Sequence, residues 1–168
     1  MQNKWLKLFS RFIQLSYLLN GFLCIIIGLA SIGVLLTPSY VLDVYIDYPH
    51  AKFLALGGLL LLFLSLMVYG YLLTYLLNII DNLEIEKYFV RDNLNNIQRI
   101  LKGFMMLWVL DVFRVTALSL ATEVPLSELV SKLLQIVLNN VMYLGFIYLI
   151  SLVFKRGIAV QDDVNQII

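Results

Sequence analysis

Four apolar runs, Phe12–Leu36, Phe53–Ile79, Leu101–Ala121 and Leu129–Phe154, make up more than half of this 168-residue chain. They leave few folds open. Crossing about 30 Å of hydrocarbon takes roughly 20 helical residues, and each run is long enough. None alternates polar and apolar residues as a half-buried strand does. Lipid also offers no partner to the backbone groups of a lone strand. Composition points the same way: 61% of the residues are hydrophobic and 14% charged, against the usual ~45–50% and ~25%. A soluble domain of this size could not hide so much apolar surface. The expected architecture is all-α: a polytopic membrane protein whose residues 1–168 form one four-transmembrane-helix bundle.

Lys4, Lys7 and Arg11 precede the first run as the basic region of a signal peptide would. A signal core is only about 7–15 residues long, however, and this run has 25. It is therefore read as a retained anchor. Orientation follows from Lys and Arg. Lys4, Lys7, Arg11, Lys87, Arg91, Arg99, Lys102, Lys155 and Arg156 fall on one side of the four spans, and only Lys52 and Lys132 on the other. The positive-inside rule then puts both termini in the cytoplasm, as in a multi-pass protein of a bacterial inner membrane. Of the outer connections, Thr37–Lys52 has Tyr40, Tyr45 and Tyr48 suited to the headgroup zone, with His50 as a surface residue. Thr122–Glu128 is a tight turn around Pro125, which makes the third and fourth helices an antiparallel hairpin. On the inner side, Asp81–Lys87 can prolong the second helix, and Asp92 can cap the start of the third.

Asp111 and Arg114 stand near the middle of the third run, three residues apart and so on one helix face. A lone charge at that depth costs about 2.5–3.5 kcal/mol on insertion scales, so the two should face protein and pair. Counting outward from Pro125 brings Asn139 level with Asp111, and Gln135 and Asn139 within reach of Arg114. The expectation is a polar layer of Asp111, Arg114, Gln135, Asn139 and Asn140, with Asn20 or Ser65 nearby. It reads either as a structural ion pair locking two helices, or as a proton, ion or ligand site of a small transporter or immunity-type protein. Small residues at Gly21 and Gly28, and at Gly58 and Ser65, mark one face of each of the first two helices for close approach. Packing within one chain is the expected use, with a homo-oligomer as the alternative.

Several function classes find no residues. Twelve Lys and Arg against eleven Asp and Glu give no basic excess for direct nucleic-acid binding. Cys24 is the only cysteine, so no internal disulfide can form, and its place in an apolar run suits packing. There is no HExxH, P-loop, GxSxG or CxxC pattern. A noncatalytic protein with no cofactor and no metal is expected.

Two cytoplasmic segments carry a resemblance. Phe89, then Arg91-Asp92-Asn93-Leu94, then Ile97-Gln98-Arg99-Ile100 is similar to the "Phe-Ser-x-Glu-Asn-hydrophobic-x-Arg-hydrophobic" start of the third helix in the bacterial membrane family named domain of unknown function 2975. The tail Phe154-Lys-Arg-Gly157-Ile-Ala-Val-Gln161-Asp162-Asp163 resembles that family's closing "Gly-x-x-Leu-Gln-Glu-Glu-Asn-Asp-Leu-Thr-Val". Val90 and Asn96 depart from the family's Ser and Arg, and Val164-Asn165-Gln166-Ile167 departs from its last segment. Members of the family are often encoded beside a small helix-turn-helix regulator. The resemblance thus implies a membrane protein with a regulatory or sensory role, whose cytoplasmic surface of Phe89, Arg91, Asp92, Asn93, Gly157, Gln161, Asp162 and Asp163 meets a small DNA-binding partner.

Overall fold

The computed structural model describes residues 4–38, 40–41, 51–121 and 124–167. They form four helices: α1 (Lys4–Leu36), α2 (Ala51–Glu84), α3 (Arg91–Ala121) and α4 (Leu126–Ile167). Most of the tyrosine-bearing outer connection, with Tyr45, Tyr48 and His50, lies outside the described residues. α2 does continue past its apolar run to Glu84. Asp92, expected as a cap, instead lies inside the first turn of α3, where its charge still suits the positive helix end. The largest difference is at the far end. The segment after Phe154, read as a tail, is helical to Ile167, so α4 has 42 residues. At 1.5 Å per residue it is about 63 Å long, roughly twice the hydrocarbon thickness. No proline follows Pro125 to stop it.

Three helices, α1, α2 and α4, are long and apolar enough to cross a membrane, and only 6% to 11% of their most apolar windows is buried inside the protein. Leu18, Phe22, Phe53, Leu138 and Phe146 all point outward, while Ser10, Asn20, Asn93, Asn96, Ser119 and Ser151 are buried. Water would make such an arrangement aggregate. Lipid reverses the preference, because membrane helices gather small and polar residues at their contacts and give their apolar faces to hydrocarbon.

Among the described residues, helix backbones approach one another only between neighbours in sequence: α1 on α2, α2 on α3, α3 on α4. The result is an open row of four helices, each packed on the next. Each pair is antiparallel. In the first, Asn20 Nδ2 donates to the carbonyl of Leu66 at 3.0 Å, and Ile13 packs with Leu73 and Ile80. Lys52 Nζ donates to the carbonyls of Leu35 and Thr37, both at 2.9 Å, so a cation from α2 satisfies the bare end of α1. Between α2 and α3, Gly103 lets Leu72 lie against the α3 backbone; a Cβ there would collide with it. Gly21, Gly28 and Gly58 have nothing within 4 Å of a built Cβ, and Ser65 Oγ donates to Leu61 on its own helix. These small residues are therefore not at the tight contacts, although Gly28 lines a groove between α1 and α2 with Leu56, Leu60 and Phe63. The side of α1 that meets α2 is the one carrying Asn20, which can bond across.

The hairpin turns have clear causes. After α2, Glu86 adopts a left-handed conformation with φ of 60°. Its N–H donates to Leu83 at 3.2 Å, and the Lys87 N–H donates to Asn82 at 2.9 Å. This paired pattern closes a helix end, usually with glycine at the left-handed position. Before α4, the Pro125 carbonyl accepts from both Glu128 and Leu129.

At Gly157 an added Cβ would run into the Phe89 ring. Alanine in a helix gains about 1 kcal/mol over glycine, whereas overpacking costs about 1–3. Gly157→Ala alone should therefore be neutral to destabilising, and in a Phe89→Ala background stabilising by about 1 kcal/mol. Thermal unfolding of the four proteins in detergent checks this.

Candidate functional site

The most tightly built polar region lies where α2 ends and α3 begins. Asn93 is wholly buried. Its Nδ2 donates to the carbonyls of Lys87 and Tyr88, both at 2.9 Å, and its Oδ1 accepts from Asn82 Nδ2 at 2.7 Å. One carboxamide thus holds the two carbonyls of the turn and the last turns of α2. A non-glycine residue in the left-handed region costs roughly 1–2 kcal/mol, and these bonds hold the turn that contains it.

α4 reaches this hairpin from the other side. Phe89 lies over Gly157 and meets Phe154 edge-on, with centroids 5.7 Å apart at 61°. Arg91 and Asp162 approach to 3.6 Å, with 83% and 52% of their side chains exposed, so the pair contributes little on its own. Of the surface residues implied by the resemblance, Phe89, Arg91, Gly157 and Asp162 therefore meet. Asn93 lies beneath them as a structural residue, unavailable to a partner. Gln161 and Asp163 are exposed on the same helical extension.

Beside the hairpin, a cavity of about 360 Å³ opens between α2 and α3. It is lined by the carboxamides of Asn78, Asn82, Asn95 and Asn96, the carboxylates of Asp81 and Asp92, and Arg99. Arg99 is held in place: it donates to the Tyr75 hydroxyl at 3.3 Å, and its guanidinium carbon is 5.1 Å from that ring's centroid. Tyr71 in turn stands edge-on to Tyr75 at 4.5 Å. Sequence reading included only Asp92 of these cavity residues among the site candidates. The missed signal was spacing: Asn78, Asp81 and Asn82 share one face of α2, as Asp92, Asn95, Asn96 and Arg99 share one of α3.

The expected layer deeper in the chain forms only in part. Arg114 donates to Asp111 Oδ1 at 2.8 Å, but their side chains are 46% and 36% exposed, so the pair is not buried as the sequence suggested. Asn140 Nδ2 donates to the carbonyl of Ile136 on its own helix. Gln135 and Asn139 are exposed, and neither makes a side-chain hydrogen bond among the described residues. Asn20 belongs to the α1–α2 contact instead. Level in depth is not contact: α4 turns Asn139 away from α3, because the row through Ile136, Asn140 and Leu144 faces it.

Replacing Asn93 by Ala strands the Lys87 and Tyr88 carbonyls and should cost about 2–3 kcal/mol of thermal stability in detergent. Faster hydrogen exchange at residues 85–90 would accompany it. At the ion pair, Asp111→Asn leaves Arg114 with no anion and should destabilise by about 1–3 kcal/mol. The double change Asp111→Leu with Arg114→Leu should recover most of that loss, since no charge remains to be desolvated.

No protein-family model, curated protein or solved structure matches this chain.

Proposed function

We propose that this chain is a noncatalytic regulatory or sensory protein of a bacterial inner membrane, with four spans and both termini in the cytoplasm. On this reading its cytoplasmic end holds a soluble partner, such as a small helix-turn-helix regulator. The observation that carries it is the length of α4. Its 42 residues exceed the roughly 20 needed to cross, and the excess packs as an ordered helix against the α2–α3 hairpin through Phe89, Gly157 and the Arg91–Asp162 pair. A helix held in place beyond the bilayer is a surface that a partner can recognise.

The fourth span is supported by loop length. α3 lies antiparallel between α2 and α4, joined to them by residues 85–90 and 122–125. At about 3.3–3.6 Å per residue, neither link could carry the chain back across some 30 Å of hydrocarbon. If α2 and α4 cross, α3 crosses with them. Four crossings leave both ends on one side, and the Lys and Arg bias selects the cytoplasm. A transporter or immunity-type role for Asp111 and Arg114 has less support, because at 2.8 Å they neutralise each other without a substrate.

Cross-linking in intact cells tests the reading. A photoreactive residue at Gln161 should trap a soluble DNA-binding protein, and one at Met142, exposed on the span of α4, should not. The adduct should weaken in Gly157→Leu, whose side chain would run into the Phe89 ring and lift the extension of α4 from the hairpin. Adducts from Gln161 to lipid or to this chain alone would end the partner hypothesis.

A further inference from the structure

We propose that the groove between α2 and α3 binds one zwitterionic phospholipid, with its headgroup in the polar cavity and an acyl chain along the apolar groove beside it. The inference does not need a cytoplasmic partner and stands or falls separately.

The first support is continuity. A second opening, of about 410 Å³, is lined by Leu64, Val68 and Tyr71 of α2 and by Lys102, Gly103 and Met106 of α3. Its residues continue the faces that line the polar cavity. On α3, positions 92, 96, 99, 103 and 106 advance by alternating steps of four and three, and on α2 positions 64, 68, 71, 78 and 82 fit the same repeat. Such a repeat keeps to one side of a helix. α4 lies on the opposite flank, where Leu72, Leu76, Ile100 and Phe104 meet Tyr143 and Phe146 across another cavity. The polar cavity and the apolar groove are therefore successive stretches of one furrow, left uncovered by α1 and α4. One stretch is lined by polar side chains, the other mostly by apolar surface. An amphiphile has this shape.

The second support is the order of charges. Moving out from the apolar stretch, the furrow presents two cations, Lys102 and Arg99, and then two anions, Asp92 and Asp81. None of the four has a charged partner among the described residues. A zwitterionic phospholipid presents the complementary order: hydrocarbon, then an anionic phosphate, then a cationic ammonium. Arg99 suits the phosphate because Tyr75 orients it while most of its five N–H donors stay free. The two carboxylates suit an ammonium better than a metal ion, because no group of three acidic, histidine or cysteine side chains converges among the described residues.

The third support is Asn96. It is 8% exposed, lines the polar cavity, and makes no side-chain hydrogen bond among the described residues. Its carboxamide atoms thus have no protein partner there and open onto the cavity, where a ligand can reach them. A phosphate oxygen or an ammonium N–H of the headgroup would supply its partner.

Native mass spectrometry of the full chain in detergent, with phosphatidylethanolamine or phosphatidylglycerol added, tests the proposal. The wild-type protein should retain one phosphatidylethanolamine about tenfold more strongly than phosphatidylglycerol, the size of one charge-assisted hydrogen bond. Asp81→Asn with Asp92→Asn should erase that preference while binding of both lipids persists. Arg99→Gln with Lys102→Gln should weaken both. Because charge changes at a helix end can disturb folding, Val68→Trp, which fills the apolar stretch and leaves all four charges, should also release the lipid, with helical content unchanged by circular dichroism. Equal retention of the two lipids by the wild type, or an unchanged preference in the double Asn variant, would overturn the proposal. So would displacement by equimolar soluble phosphoethanolamine, which would make the ligand a free headgroup and not a lipid.

Discussion

Three of the four helices are long and apolar enough to cross a membrane, and in hydrocarbon an apolar side chain gains almost nothing by moving from lipid to protein, so the force that packs a soluble core would not hold such helices together. What remains is close backbone approach and a small set of hydrogen bonds. The distribution of residues follows. Leu, Ile and Phe cover the outer faces, and the contacts are marked by Asn20 against Leu66, Gly103 against Leu72 and the Asn82–Asn93 pair. With few such contacts, each helix holds only its neighbours, and the molecule is an open row.

The open row puts particular weight on the α2–α3 hairpin, where, among the described residues, three helices are tied together outside the apolar runs. A left-handed Glu86 turns the chain, Asn93 holds the turn, and Phe89 passes the restraint on to α4 through Gly157. The bonds differ in worth. The Arg91–Asp162 pair is exposed and screened. The buried carboxamide of Asn93 acts where unsatisfied groups are expensive. Order at this end therefore rests on Asn93 and on the Phe89–Gly157 contact more than on charge.

Asn82 joins the two parts of this end. It donates to Asn93 inside the hairpin and also lines the polar cavity. Anything bound in the furrow would touch a residue that positions the turn, and through the turn the extension of α4. The furrow and the extension of α4 are thus connected by one carboxamide pair and one aromatic ring.

The sequence by itself determined the all-helical class, the apolar segments, the prolongation of α2, and the Asp111–Arg114 pair. Each depends on local rules: how many helical residues span hydrocarbon, how residues three apart share a face, and how charge resists lipid. The tertiary structure alone decided which faces meet. Gly21, Gly28 and Gly58 had the right spacing for contact, yet a Cβ built on them meets nothing within 4 Å, while Gly70 and Gly103, which stood in no motif, and Gly157, singled out only by the family resemblance, became tight contacts. Asn139 had the right depth but the wrong angle, one residue from the row of α4 that faces α3. The cavity at Asn78, Asn82, Asn95 and Asn96 needs two helices set side by side in one register, and that register is fixed by a turn whose left-handed residue is Glu86 and not the glycine that would have announced it. Periodicity within a helix is written along the chain; the rotation of one helix against the next depends on contacts between residues far apart in it.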